Sequence, residues 1–372
     1  MRQTSALNNP FRPSFGVKPN HFIGRDEIVT RILQASSNLN SPWQNTILIG
    51  VRGSGKTSLL SCLREELEQR SVKIVKLRPS VELLDNILYQ LRDHAGEMSS
   101  KLVVNEVKVK SPVEVTIGSA THLMVTFEEK AFYYMRKIQA LGHTIAFLID
   151  ETQKYSDDLK EFIGCYEFFI EEKFNVLLVM AALPEVIQEL LNTEGTTFIR
   201  RARRELLNEI PFSLVHQTFA QVFQKAGFSV KGETIRELAR FTKGYPFMIQ
   251  LCGYHMWNCL CDQMTDEEAL TRTMQFALND LYAYVIEPIY DSLTSREQDF
   301  LNAFVVGDKE AEVSISSVIE RTGMIKQNVD TYKRRLLNYG LVHQPRRGML
   351  SFTLPYMWAY IKQVTNDSGY DL

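Results

Sequence analysis

The spacing of apolar positions changes character along the chain. Short apolar runs come first, at 46–49, 72–77, 144–149 and 175–182, alternating with stretches of helical spacing at 58–63, 81–94 and 127–141. Uninterrupted apolar runs of strand length suit strands buried on both faces, and their alternation with helices predicts a parallel α/β sheet. Residues 101–117 break the pattern by alternating at period two, with Ser111-Pro112 in the middle, which predicts an inserted β-hairpin. Such a hairpin is either a pair of inert edge strands or a partner-binding feature. A fifth strand-like stretch, Ile210-Pro211-Phe212, ends the sheet signal.

Helical spacing alone continues at 217–227, 233–243 and 247–263, followed by one longer helix at 267–290. A helix then begins near Leu293, with Thr294 or Ser295 as its cap. Residues 314–321, the turn Thr322-Gly323-Met324 and residues 327–339 read as helix, tight turn, helix. Two short strands follow, at 341–343 and 349–354, around a basic tip at Pro345-Arg346-Arg347-Gly348. The expected organisation is an extended arm at 1–15, an α/β core at 16–213 with its hairpin, a helical segment with its spacer at 214–291, and a module at 292–372 that resembles a winged helix.

Composition narrows the class without naming a function. At 372 residues the chain suits two or three domains, and 45% hydrophobic with 23% charged residues is ordinary for a soluble protein. A net charge of −2 gives no global nucleic-acid signature, so contact with DNA would need a local basic patch. No charge-free apolar run reaches membrane-spanning length and the first ten residues are polar, so neither a span nor a signal peptide is expected. Five scattered cysteines fit a reducing, cytoplasmic setting, and Cys259 and Cys261 point in different directions on one helix, which argues against a metal site with His255.

The first apolar run breaks into Gly50-Val51-Arg52-Gly53-Ser54-Gly55-Lys56-Thr57 before a helix. Gly50, Gly55, Lys56 and Thr57 fit the G-x-x-x-x-G-K-[ST] spacing of a phosphate-binding loop. Glycines let successive N–H groups of Arg52, Gly53, Ser54, Gly55 and Ser58 face phosphate oxygens at the positive end of a helix dipole. Lys56 is expected to reach the β and γ phosphates of ATP or ADP, and the Thr57 hydroxyl to hold Mg²⁺. At the end of the third apolar run stand Asp150 and Glu151, where α/β sheets place ligands. Asp150 is expected at the metal and Glu151 as the base for an attacking water. Upstream, Phe22-Ile23-Gly24-Arg25 precedes a helix and is placed to wall the adenine. Arg200, Arg201, Arg203 and Arg204 cluster ahead of Ile210; a solvated basic helix end is the usual explanation of such a cluster, and its position also suits an arginine acting on a neighbouring protomer's nucleotide.

Together these motifs, over about residues 15–263, resemble the AAA+ and STAND ATPases, particularly the origin-recognition-like and archaeal-type branch. The resemblance implies a P-loop NTPase fold with a five-stranded parallel sheet in the order 5-1-4-3-2 and a helical lid. It makes Gly50 to Thr57 the Walker A loop, Asp150-Glu151 the Walker B pair and Arg203 or Arg204 the arginine finger. Gly244-Tyr245-Pro246 is similar to the Gly-x-Pro lid turn, which puts Tyr245 and Pro246 at the nucleotide. Two departures point to slow turnover: Ala181 and Ala182 stand where many relatives carry a polar sensor, and 244–247 offers no sensor arginine.

Between Arg321 and Arg347 the chain carries seven cations and one acid, Asp330. Lys326, Gln327, Lys333, Arg334, Arg335, Arg346 and Arg347 are the expected DNA-contacting residues, with Asn328 and Thr331 also near base edges. The combined expectation is a nucleotide-driven switch that self-assembles with ATP and engages duplex DNA. A STAND-like signalling or defence switch, whose winged helix makes protein contacts, remains open, as does an accessory ATPase of transposition or plasmid maintenance.

Overall fold

The computed structural model describes residues 8–14, 23–38, 40–78, 82–97, 113–117, 120–124, 126–152, 156–184, 186–187, 191, 198–305, 307 and 309–367. Two compact units share the chain, one of 27–49 and 59–206, the other of 1–26, 50–58 and 207–372.

The first unit holds a five-stranded parallel sheet. Its elements are α1 (Asp26–Ala35), β1 (Asn45–Ile49), α2 (Lys56–Gln69), β2 (Lys73–Leu77), α3 (Leu83–His94), the hairpin β3 (Val113–Ile117) and β4 (Ala120–Met124), α4 (Phe127–Ala140), β5 (Ile145–Thr152), α5 (Asp157–Glu171), β6 (Val176–Ala182) and β7 (Arg203–Leu206). The order β2-β5-β6-β1-β7 is the expected 5-1-4-3-2 once the sheet strands are counted along the chain. Central β6 is buried at every position, which is why it reads as an unbroken apolar run. Beneath it Phe147, Phe162, Tyr166 and Phe169 form an aromatic core, and the Tyr166 hydroxyl is satisfied by Asn45 Oδ1 at 2.8 Å. Thr126 and Glu129 cap α4 reciprocally, so its entry needs no tertiary help.

One expectation shifts. The fifth strand is Arg203–Leu206, paired with β1, whereas Ile210-Pro211 leads into a helix; Pro211 has no N–H to give a ladder, and Ile210 is buried. A described hairpin pairs Val113↔Met124 through Ile117↔Ala120, with residues 118–119 between its strands outside the described residues. Residues 101–112 of the expected hairpin lie outside the described residues.

The second unit carries α6 (Phe212–Lys225), α7 (Gly232–Phe241), α8 (Pro246–Cys261), α9 (Asp266–Leu281), a π-helical turn (Tyr282–Ile286) and α10 (Glu287–Asp291). The spacer expected as one helix is thus interrupted. Pro288 cannot donate an N–H and its ring crowds the carbonyl four residues back, which widens the turn. Then come α11 (Ser295–Asn302), β8 (Val313–Ser314), α12 (Ile315–Thr322), α13 (Lys326–Asn338), β9 (Val342–His343), β10 (Met349–Phe352) and α14 (Met357–Asp367). The three short strands form a sheet in the order β8-β10-β9, and Gly323 turns α12 into α13 in the left-handed conformation at φ 62°. This is a winged helix.

Lid and winged helix share one apolar core that also takes in Phe11 of the N-terminal arm. The arm is therefore a packed element where an extended one was expected. Phe11 is 1% exposed, against Phe219 and Phe223, while Asn9 Nδ2 donates to the Tyr254 carbonyl and to Asn258 Oδ1, each at 3.0 Å. Gly253 on α8 makes the room: a Cβ there would lie 2.2 Å from the Phe11 ring. Among the described residues no helix is long and apolar enough to cross a membrane.

Candidate nucleotide-binding site

The chain leaves the carboxyl end of β1 directly into Gly50 and enters α2 at Lys56. Between them Gly53 at φ 72° and Gly55 at φ 90° adopt left-handed backbone, which curls successive N–H groups toward one side. Gly50 is required for a different reason, since a Cβ there would sit 2.4 Å from Ser54 Oγ and 3.2 Å from Leu207. Lys56 Nζ donates to the Gly50 and Val51 carbonyls, each at 2.7 Å, so the ammonium is held over the loop. Ser54 is 3% exposed, and its Oγ has no hydrogen-bond partner among the described residues; nor has the buried Arg52 Nε. Buried polar atoms normally have partners, so these two leave hydrogen-bonding capacity that a polar ligand such as a polyphosphate would satisfy. The residues present therefore fit the group that the loop motif implies.

The lid turn meets the loop from the other side. Tyr245 Oη donates to the Arg52 carbonyl at 2.9 Å, and its ring lies so close to Gly53 that a Cβ there would be 1.9 Å from the hydroxyl oxygen. Burial pushes the Tyr245 phenol well up, so it stays a neutral donor. Pro246 stands next to Gly55. Ile210 N donates to the Gly244 carbonyl at 2.8 Å, tying this turn to the segment that follows β7.

Just before α1, Gly24 at φ 69° approaches Leu214 and Ile210, with half-buried Ile23 beside it. The Arg25 guanidinium donates to the Asn208 carbonyl at 2.5 Å, and burial lowers its pKa against the raising effect of Glu209. Phe22 lies outside the described residues. Ile210, Leu214 and Asn208 were not picked out in the sequence, because nothing local distinguishes them from other positions near a helix start.

Asp150 is 2% exposed at the carboxyl end of β5. Glu151 follows in the strand; its side chain lies outside the described residues. Ala181 and Ala182 end β6 in register with Leu48 and Ile49, so the tip of that strand presents methyl groups where a polar sensor would stand. Arg203 is committed within its own unit, with its guanidinium 4.4 Å from the Trp43 ring centroid and Nε 2.5 Å from Glu205 Oε1. Arg204, next along the edge strand, is exposed and leaves the opposite face of the sheet.

In the winged helix, Lys326, Gln327, Asn328 and Arg334 are exposed on α13, and Arg347 is exposed at the wing tip. Other cations of the basic stretch face acids. Lys333 pairs with Asp330 at 3.0 Å, Arg335 with Glu297 at 3.5 Å and Arg346 with Glu312 at 2.9 Å. Glu297 and Glu312 lie outside the stretch that looked so basic, and over 292–372 ten cations meet nine acids.

Two family models match parts of the chain: a DEAD/DEAH box helicase model over residues 28–190 and a domain of unknown function (DUF8462) over residues 283–361. The first match ends before β7 and the lid. No curated protein sequence matches significantly. Among solved structures, the Walker-type ATPase PABY2304 of Pyrococcus abyssi is similar at a TM-score of 0.60 and 15% identity, covering 92% of this chain and 96% of that one. Cdc6p from Pyrobaculum aerophilum is similar at a TM-score of 0.51 and 13% identity, covering 96% of this chain and 97% of that one. These likenesses establish the fold over nearly the whole chain: a P-loop ATPase fold with a helical lid and a C-terminal winged helix.

Proposed function

We propose that the chain binds and hydrolyses Mg-ATP slowly and acts as a nucleotide-driven assembly switch. The observation that carries this is the loop itself, where left-handed Gly53 and Gly55, Lys56 held above them and the unpartnered buried Ser54 Oγ make a receptor for a polyphosphate. In this reading Thr57 and Asp150 offer oxygens to Mg²⁺, which would neutralise phosphate charge, and Glu151 takes the proton of the attacking water. Ile23, Ile210 and Leu214 supply an apolar wall for the base. Ala181 and Ala182 leave the water without a sensor side chain, which supports slow turnover.

Arg204 is the better candidate for an arginine acting in trans, because Arg203 is occupied by Trp43 and Glu205. Duplex DNA is the partner that Lys326, Gln327, Arg334 and Arg347 suit, in the manner of a helix presented to a groove beside a wing. The pairing of Lys333, Arg335 and Arg346 with acids, and the core shared with the lid, favour a second reading in which the winged helix makes protein contacts.

Sizing the protein with ADP and with a slowly hydrolysed ATP analogue, each with and without duplex DNA, tests the switch. Larger species only with the ATP analogue are expected, and DNA co-migration selects the first reading. One size under all four conditions contradicts both.

A further inference from the structure

We infer that Tyr356 of the winged helix is a positioning residue for the nucleotide loop, acting through the lid turn at residues 241–246; this rests on the nucleotide reading above. The turn links α7 to α8 and is contacted at both ends within one compact unit. At one end Tyr245 Oη holds the Arg52 carbonyl at 2.9 Å and its ring covers Gly53. At the other, the Tyr356 hydroxyl donates to the Phe241 carbonyl, and the two rings stand 5.8 Å apart. Lys243 Nζ lies 4.5 Å from the centroid of the Tyr356 ring and 3.8 Å from Glu310.

The turn between these ends has little slack. Lys243 at φ 49° and Gly244 at φ 69° are consecutive left-handed residues. Thr242 is fully buried, its hydroxyl donating to the Ala239 carbonyl at 2.7 Å and accepting Gly244 N at 3.2 Å. Tyr245 N donates to the Thr242 carbonyl at 2.9 Å. A Cβ on Gly244 would meet the Ile210 carbonyl at 2.4 Å. Tyr356 is itself a non-glycine residue in left-handed backbone, at φ 70°. Left-handed bulky residues persist only where their surroundings hold them, and here two of them, Lys243 and Tyr356, hold each other. A shift at the Phe241 carbonyl therefore passes along a hydrogen-bonded turn to the tyrosine that fixes the Arg52 carbonyl.

Tyr356 is 6% exposed, so a plain packing role is the alternative. Tyr356→Phe separates the two, because it keeps the ring against Phe241 and Lys243 and removes only the hydroxyl. A packing role moves thermal stability alone; a positioning role also moves the dissociation constant for nucleotide. The experiment is calorimetric titration of Mg-ADP into the full chain as the parent, Tyr356→Phe, Tyr245→Phe and the double variant. Each single change is expected to weaken binding about 3- to 10-fold, the range of one lost hydrogen bond. The double variant is expected to bind within about twofold of Tyr245→Phe, because both act on one path. Parent-like affinity in Tyr356→Phe, or effects that simply multiply in the double variant, would overturn the inference. If Tyr356→Phe does not fold, Lys243→Asn replaces it: asparagine accepts the left-handed backbone, and unchanged affinity overturns the link as well. A parent chain that binds no ADP would remove the nucleotide reading itself, an outcome distinct from a parent that binds while Tyr356→Phe has no effect.

Discussion

Gly253→Ala tests how the N-terminal arm is held. Alanine is the better helix former, so in the interior of α8 the change alone should stabilise by about 1 kcal/mol. The added methyl, however, would lie 2.2, 2.4 and 2.5 Å from three atoms of one Phe11 ring. That ring is rigid and wedged against Phe219 and Phe223 at 5.8 and 6.0 Å, so in a close-packed site it cannot withdraw by the roughly 1 Å that ordinary contact demands. Expelling Phe11 forfeits burial of about 2–3 kcal/mol for a phenylalanine side chain. The net expectation is a loss of about 1–2 kcal/mol in the parent. With Phe11→Ala already present the obstruction is gone, and Gly253→Ala should stabilise by up to about 1 kcal/mol. Urea melts of the four proteins give the cycle. A change of sign supports the packing described here; equal destabilisation in both backgrounds refutes it, since the cost would then not come from Phe11.

Arg203→Ala should lower stability by about 1 kcal/mol through loss of the Trp43 and Glu205 contacts, whereas Arg204→Ala should leave melting unchanged and reduce only ATP hydrolysis measured at assembly concentrations. Burial raises the phenols of Tyr166, Tyr245 and Tyr356, so they stay neutral in the folded chain while the unfolded chain ionises near pH 10. Their stabilisation is thus full below that pH and lost above it, and the buried thiols of Cys165 and Cys252 start the decline nearer pH 8.5. Melts flat from about pH 7 to 8 and then falling, less steeply in Tyr245→Phe, are expected; stability rising through pH 10 would contradict the sign. Replacing Lys326, Arg334 and Arg347 together by Gln should flatten the logarithmic salt dependence of DNA binding by about 2–3, against less than about 1 for Arg335 with Arg346. Equal slopes in the two variants would show that paired and exposed cations do not differ in their use.

The central strands were legible because the information is local: β1, β5 and β6 carry apolar runs, and the loop after β1 has the spacing of a phosphate-binding loop; the strand order came from the family resemblance, and the edge strand Arg203–Leu206 has no apolar run to announce it. The interruption before Pro288 was not read, and the spacer passed as one helix, although a proline inside a helical pattern marks a lost hydrogen bond. Phe11 was not legible, since its neighbours Asn9, Pro10 and Pro13 read as an open arm and the pocket that takes it is made by Gly253, far along the chain. The ion pairs of the basic stretch were not legible for the same reason. Counting charges between Arg321 and Arg347 left out Glu297 and Glu312, which the fold brings to Arg335 and Arg346. Glycine spacing announced the loop and the resemblance at Gly244-Tyr245-Pro246 brought Tyr245 near it, whereas the hydrogen bond from Tyr245 to the Arg52 carbonyl depends on how the chain returns to the loop.

The central claim is that Gly50 to Thr57 receives a nucleotide polyphosphate through Lys56. Calorimetric titration of Mg-ADP into the full chain and into Lys56→Ala tests it most directly. Saturable binding at one site per chain is expected for the parent, with affinity at least about 100-fold weaker in the variant, whose loop keeps its glycines but loses the charge on the phosphates. A parent that does not bind, or a Lys56→Ala chain that binds as tightly as the parent, would contradict the account.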